Sequence, residues 1–217
     1  MDPKDVAQYL KDNPQFFEDY ADVVAEIFVP HPHGGHAIPL AERQIITLRE
    51  KTGELESKLH EMIRFGTEND RTGEKLHRST LALIGAPDLE TTLAVLYQSL
   101  GEDFLVPHVA CRLWGSVPAE SYMPELGATS PELREYAEGL DVPYCGPVAP
   151  LESREWFEGG ENCRSFAFLP LRTTSTFGLL GLGDADPDRF HPGMGVVYLT
   201  RLAELASVAT ARFLPAA

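Results

Sequence analysis

Three histidines near the N-terminus have a spacing that could support metal chemistry. His31, His33 and His36 follow one another closely, and imidazole groups at such spacing are ligands for zinc or nickel. No cysteine or further histidine lies near them in the sequence, and the surrounding prolines and glycines are typical of a turn. The turn interpretation is favoured, and metal binding stays open as the alternative.

The three cysteines are the next candidates for chemistry. Cys145 and Cys163 could form a thiol-based redox or metal site with His108 or His191. The sequence has no CxxC pair, and the odd number of cysteines argues against a disulfide scaffold. Cys111 falls within a predicted strand, where a thiol is usually a small buried apolar group. A structural role is favoured for all three, and a thiol- or metal-dependent enzyme is the less favoured alternative.

Other catalytic motifs do not occur in the sequence. There is no G-x-S-x-G nucleophile elbow, and no lysine follows Lys75, which excludes a Schiff-base or P-loop lysine from the later part of the chain. The glycines of segment 178–183 lie in a strand pattern that no helix follows, unlike a dinucleotide-binding turn. We therefore assign no catalytic residues and no metal ligands, and the sequence identifies no cofactor.

A group of aromatic and arginine side chains is the best candidate for a small-molecule pocket. Such pockets are lined by aromatic rings with a few polar groups, and arginine would hold an anionic ligand. The same side chains could equally fill a hydrophobic core. The predicted pocket lies between a sheet and the irregular segment 115–160. Its candidate ligand-binding residues are Cys111, Trp114, Tyr122, Arg134, Tyr136, Tyr144, Cys145, Trp156 and Arg164.

The first third of the chain has helical patterns. Asp2-Pro3 and Asn13-Pro14 are helix-start signals, and apolar residues at helical spacing follow each, so residues 1–38 are predicted to form a helical hairpin. Segment 39–84 is predicted to be one long coiled-coil or linker helix, interrupted in composition by glycines. Its heptad a positions include Ile45 and Leu59. Its d positions are Leu48, Leu55, Met62, Asn69, Leu76 and Leu83. A helix this long needs a partner, most simply the same helix of a second chain; folding back on its own chain is the alternative.

Residues 85–217 have the pattern of a separate α+β domain. A helix capped by Asp88 precedes a strand at 108–114, then come irregular segments, two strands at 164–172 and 176–183, and a closing helix from about residue 193. Residues 131–139 and 152–160 are predicted to be short helical segments, and residues 145–148 a short strand or turn. This order predicts an antiparallel sheet flanked by helices.

Composition restricts the classes of partner. The formal net charge is -15 at pH 7, which disfavours nucleic acid and anionic membranes. No segment approaches the length of apolar sequence that a membrane helix needs, and the N-terminus lacks the apolar core of a signal peptide. We therefore expect a cytoplasmic protein with reduced thiols, and no membrane or nucleic-acid partner.

Several short motifs together resemble the bacterial family called domain of unknown function 484, whose C-terminal part has a GAF-like fold. The resemblance covers nearly the whole chain and rests on the order and spacing of the motifs. They are Tyr9-Leu10, Asn13-Pro14, Phe16-Phe17, Pro30-His31, Glu42-Arg43-Gln44, Leu48-Arg49, Tyr144-Cys145-Gly146, Leu169-Pro170-Leu171, Gly178-Leu179-Leu180 and Arg189-Phe190. The resemblance implies a domain that binds small molecules or mediates dimerisation and signalling, and it supplies no catalytic residues.

The long helix and the GAF-like domain lead to one hypothesis of function. We expect a non-enzymatic, cytoplasmic sensor or adaptor that forms a homodimer through the long helix and signals through protein contacts. Its ligand would be an unidentified small molecule. A structural interaction scaffold that binds no ligand is the first alternative. In either case the partners are a second copy of the chain and a further protein.

Overall fold

The computed structural model describes residues 2–29, 38–114 and 123–214. The chain divides into two compact units, Met1–Glu68 and Asn69–Ala217. His31, His33, His36 and Tyr122 lie outside the described residues, so the predictions made for them stay predictions. None of the helices in the described ranges combines the length and apolar composition that crossing a membrane requires.

The first unit begins with short helices. Helix α1 (Pro3–Asp12) starts at Asp2, whose carboxylate accepts the backbone N–H of Lys4 in a capping box. A single second helix is expected after Asn13-Pro14, but two short helices form, α2 (Phe16–Asp19) and α3 (Ala21–Ala25). The chain then enters β1 (Phe28–Val29), which pairs antiparallel with β2 (Ile38–Pro39).

Helix α4 (Leu40–Gly85) is a single helix of 46 residues. At 1.5 Å per residue it is about 69 Å long. Its three internal glycines do not interrupt it, and the space where each would carry a Cβ atom is open. Only Leu76, Ser79 and Leu83, all near its C-terminal end, are buried. These last turns belong to the core of the second unit.

The second unit contains a four-stranded antiparallel sheet. Helix α5 (Leu89–Gln98) continues into a π-helical turn (Ser99–Asp103) and then β3 (His108–Leu113). Three 3₁₀ turns, 124–126, 151–156 and 160–162, and helix α6 (Pro131–Glu138) occupy the irregular region, with β4 (Tyr144–Gly146) among them. Strands β5 (Ser165–Arg172) and β6 (Thr176–Asp184) form a hairpin, and α7 (Val197–Ala211) closes the chain. The sheet order is β3-β6-β5-β4. The α+β class with a flanked antiparallel sheet is confirmed.

The two faces of the sheet pack against different layers, because successive strand residues point to opposite sides. Leu180 and Leu182 of β6 belong to the larger core, which includes apolar residues of α5, α7 and the end of α4. Leu179 belongs to a smaller core with Phe166, Phe168 and residues of α6. We call these the helix core and the aromatic core. The aromatic core is the side on which the predicted pocket residues are expected.

Candidate ligand-binding site

Among the residues that the structure describes, strand β3 forms one edge of the sheet, and no described strand pairs with the outer side of its backbone. A cavity of about 340 Å³ lies along this edge. Its walls come from helix α5, strand β3, the 3₁₀ turn 124–126 and the segment 156–158. We call it the edge cavity. Its lining residues are Tyr97, Pro107, His108, Val109, Ala110, Arg112, Pro124, Glu125, Trp156, Phe157 and Glu158.

A buried carboxylate and a phenol form one wall of the edge cavity. Glu125 is only 9% exposed, and its Oε1 accepts a 2.8 Å hydrogen bond from the hydroxyl of Tyr97. Burial raises the pKa of Tyr97 well above its usual range, and negative charge on Cys111 and Glu125 would raise it further. The phenol therefore remains a proton donor to Glu125 at physiological pH.

An arginine stacked on a tryptophan forms another wall. The Cζ of Arg112 lies 5.1 Å from the ring centroid of Trp156, within the range of a cation–π contact. Nη1 of Arg112 also donates a 2.9 Å hydrogen bond to the carbonyl of Cys111. A guanidinium has five N–H donors, so further donors are left for a ligand.

Groups of both charge signs therefore border one cavity. His108 also lines the cavity, and its ring Nδ1 lies 3.2 Å from the carbonyl oxygen of Glu158. A site with a carboxylate, a guanidinium and an aromatic ring can hold a small polar molecule by charge, hydrogen bonds and stacking together.

Four of the predicted pocket residues share the aromatic core. Trp114, Tyr136, Tyr144 and Trp156 pack against it, and the Cζ of Arg134 lies 5.9 Å from the ring centroid of Trp114. Of this group, Trp156 lines the edge cavity. Their placement on one face follows the predicted arrangement, but their role in binding a ligand remains a prediction.

The remaining described candidates lie elsewhere. Cys111 and Cys145 contact the helix core, because each neighbours a strand residue that points to the aromatic side. The Nε of Arg164 donates a 3.0 Å hydrogen bond to the carbonyl of Ala185. The structure therefore does not bring these three residues together with the aromatic candidates.

The cysteine environments do not favour thiolate chemistry. Burial raises the pKa of Cys111, of Cys145 and of Cys163, so each is a protonated thiol at neutral pH. All three are free cysteines. Within residues 2–29, 38–114 and 123–214, no group of three or more His, Cys, Asp or Glu side chains is arranged to hold a metal ion.

Sequence reasoning did not place Tyr97 and Glu125 in a site. The ring of Tyr97 packs against the helix core, while its hydroxyl reaches Glu125. Glu125 follows Pro124 in a loop rich in turn-forming residues, where a carboxylate is ordinarily solvated. Only the fold brings the two together, so no local signal could have found the pair.

The whole chain matches a known family. A family model described as "Protein of unknown function, DUF484" matches residues 1–214. The chain belongs to the DUF484 family. The resemblance drawn from the scattered motifs is thereby confirmed. This DUF484 chain is also 22% identical over 209 residues to "Uncharacterized protein YigA" of Salmonella typhimurium strain LT2, covering 94% of this chain and 88% of that protein.

Two solved GAF domains are similar to the DUF484 chain. One, from Pseudomonas syringae pv. tomato, has a TM-score of 0.47 and 16% identity and covers 69% of this chain and 92% of that domain. The other comes from the Acinetobacter phosphoenolpyruvate-protein phosphotransferase. It has a TM-score of 0.46 and 16% identity and covers 64% of this chain and 92% of that domain.

Proposed function

We propose that this DUF484 protein is a non-enzymatic, homodimeric sensor or adaptor that binds a small polar molecule in the edge cavity and signals through protein contacts. The observation that carries the proposal is the cavity of about 340 Å³ with a buried Glu125 and the stacked Arg112–Trp156 pair in its walls. A filled core would leave no such space. A ligand with a hydrogen-bond donor for Glu125 and an anionic or acceptor group for Arg112 would fit both walls.

Native mass spectrometry tests the binding part of the proposal. The protein is purified from its own host, and any co-purifying molecule is identified after denaturation. We expect a small molecule in stoichiometric amount, which is lost in Arg112→Gln. The matched control is Arg154→Gln, because Arg154 also donates to a backbone carbonyl and lies over an aromatic ring but does not line the edge cavity. If the purified protein carries no small molecule, even after incubation with concentrated host extract, the scaffold alternative is favoured.

The dimer part of the proposal is supported by the exposed heptad positions of α4. Ile45, Leu48, Leu55, Leu59 and Met62 occupy a or d positions and are 50%, 62%, 64%, 56% and 70% exposed. Leu76 and Leu83 continue the d row but are buried in the helix core of their own unit. The proposed coiled coil with a second copy therefore uses residues 45–62, about 27 Å of helix.

A pair of substitutions tests the coiled coil. Leu55→Asp would place a charge at a d position of the pairing surface, and we expect it to convert a micromolar dimer into a monomer. Leu81→Asp is the matched control, because Leu81 is 58% exposed on the same helix but lies outside the a and d rows. Light scattering coupled to size-exclusion chromatography measures the mass. A wild-type monomer at micromolar concentration would remove this part of the proposal.

The enzyme alternative has little support in the geometry of the described residues. The thiol pKa values are raised, and a reactive cysteine needs the opposite shift. A thiol-reactivity assay at neutral pH, together with metal analysis of the purified protein, tests this alternative. A cysteine that reacts faster than a free thiol, or a stoichiometric metal, would restore it. We further expect the protein to act in the cytoplasm, which fractionation of host cells would test.

A further inference from the structure

A second cavity lies on the opposite face of the sheet, in the helix core. It has a volume of about 200 Å³ and is bordered by the end of α4, the π-helical turn, strand β6, the loop before α7 and α7 itself. Almost all of its lining is apolar. We call it the helix-core cavity. Its lining residues are Thr72, Leu76, Leu100, Phe104, Val106, Leu182, Arg189, Phe190, Met194, Gly195, Tyr198, Leu199 and Leu202.

One arginine is held at the rim of this cavity. Nη2 of Arg189 donates a 2.6 Å hydrogen bond to the carbonyl of Phe104, and its Cζ lies 5.9 Å from the ring centroid of Phe190. Phe104 and Phe190 both line the cavity, so the guanidinium sits beside the apolar space. Arg189 is itself exposed, and a guanidinium has more donors than these contacts use.

Two further cations lie against aromatic side chains that line the cavity. Nζ of Lys75 lies 5.7 Å from the ring centroid of Phe104, and Cζ of Arg201 lies 5.7 Å from that of Tyr198. The nearby carboxylate of Asp103 is paired with Arg78 at 2.8 Å. Among the described residues, Arg189 takes part in none of the ion pairs. In a chain of net charge -15, this grouping of cations beside an apolar cavity favours an anionic group at the rim.

We propose that the helix-core cavity binds a free medium-chain carboxylic acid, with its alkyl chain inside the cavity and its carboxylate on Arg189. Apolar cavities of this kind stay dry and take up apolar molecules, and a cavity of about 150 Å³ is enough for benzene. By that scale, the present cavity holds a chain of about six to eight carbons. A long acyl chain of a membrane lipid would not fit. This site is separate from the edge cavity and does not depend on it.

The position of the cavity gives such a ligand access to two helices. Thr72 and Leu76 belong to α4, and Tyr198 and Leu202 belong to α7. The two helices are joined directly by a 3.0 Å hydrogen bond from the hydroxyl of Tyr198 to the carbonyl of Asn69. Occupation of the cavity would therefore stabilise the packing of α7 on the last turns of α4.

Calorimetric titration of the full chain with octanoate, butanoate and 1-octanol tests the proposal. We expect octanoate to bind on the order of a hundredfold more tightly than butanoate, because four more methylene groups leave water. Arg189→Gln should weaken octanoate about tenfold and leave 1-octanol unchanged. The matched control is Arg154→Gln, on the other side of the sheet. Arg154 also donates to a backbone carbonyl and lies 5.9 Å from a phenylalanine ring centroid.

A blocking variant tests the location. Leu199 is a half-buried residue of α7 that lines the cavity, so Leu199→Trp places a larger side chain in the cavity. The variant should abolish octanoate binding and leave the helical circular dichroism unchanged. If this variant does not fold, the wild-type protein is titrated with octanoate and its amide chemical shifts are measured instead. The largest shift changes are expected at residues near Leu202 and Val106. Equal affinity for octanoate and butanoate, no effect of Arg189→Gln, or shifts confined to the edge cavity would each overturn the proposal. Failure to find a ligand in the edge cavity would not change the result of the octanoate titration. The proposals for the edge cavity and the helix-core cavity can therefore be refuted independently.

Discussion

The hydroxyl of Tyr97 in α5 donates a 2.8 Å hydrogen bond to Oε1 of Glu125, a carboxylate 28 residues further along the chain that is only 9% exposed. The bond ties the helix layer to the turn that follows the edge strand β3. A buried carboxylate needs such a donor, because removal from water penalises its charged form. The pair therefore holds one wall of the edge cavity in place before any ligand arrives.

Tyr97→Phe removes the donor and leaves the carboxylate buried without it. We expect a loss of about 1–3 kcal/mol in the free energy of unfolding, measured by urea denaturation at pH 7. Glu125→Gln and the double variant complete a double-mutant cycle. A coupling energy well above about 0.5 kcal/mol is expected for side chains in direct contact, and a value near zero would show that the bond contributes nothing.

The free energy of unfolding should decrease at alkaline pH. Burial raises the pKa of Cys111 and of Tyr97, so both groups keep their protons in the folded state at pH values where the unfolded chain loses them. For a raised pKa, the stabilising contribution is complete below the unfolded pKa and is lost as the pH rises, here from about pH 8.5 upward. Urea unfolding between pH 7 and 11 measures the slope. Cys111→Ala should be less stable at pH 7 but show a flatter alkaline decline; an unchanged slope would contradict the argument.

Leu105 is a place where glycine should be better than the native residue. It has a φ of 55°, in the left-handed region, and its side chain is 69% exposed. The left-handed conformation costs a non-glycine residue about 1–2 kcal/mol. Glycine avoids this cost, but its larger conformational entropy in the unfolded chain offsets about half of the gain in folding free energy. We expect Leu105→Gly to raise the free energy of unfolding by about 0.5–1 kcal/mol. Leu81→Gly, at an exposed site within α4, is the control and should lower it by about 1 kcal/mol.

The guanidinium of Arg212 caps the C-terminal end of α4. Its guanidinium donates to the carbonyls of Leu83, Ile84 and Ala86 at 3.1, 3.3 and 3.2 Å. The carbonyl of Leu83 also accepts the backbone N–H of Ala86 at 3.4 Å. The last carbonyls of a helix lack donors within the helix, and a cation at a helix C-terminus is favourable. We expect Arg212→Met to lower the free energy of unfolding by about 1–2 kcal/mol. Arg201→Met serves as the comparison and should change it by less than about 0.5 kcal/mol. Equal effects of the two substitutions would refute the cap.

Much of the fold could be predicted from local sequence signals. The capping residues Asp2 and Asp88 each accept a backbone N–H at the start of the helix they were expected to begin. The two strands predicted at 164–172 and 176–183 form a hairpin, β5 and β6, joined by segment 173–175. These signals succeed because caps, turns and hydrophobic periodicity act between residues that are close in sequence.

The division of α4 could not be predicted in the same way. The heptad pattern treats Leu55 and Leu76 as equivalent d positions, yet Leu55 is 64% exposed and Leu76 is 8% exposed. The difference arises because Leu76 packs against the helix core of the second unit. A repeating pattern records that a position is apolar and does not record which surface will cover it.

The sequence by itself determined the order of the main elements of the second unit, the α+β class and the family, since these depend on local patterns and on motifs in a fixed order. The tertiary structure alone decided which side chains meet. Cys111 and Arg112 are neighbours in the chain, but the strand sends the first into the helix core and the second to the edge cavity beside Trp156. It also created the polar edge cavity and the apolar helix-core cavity from segments far apart in sequence. A cavity is the space left after packing, so no local pattern of residues encodes it.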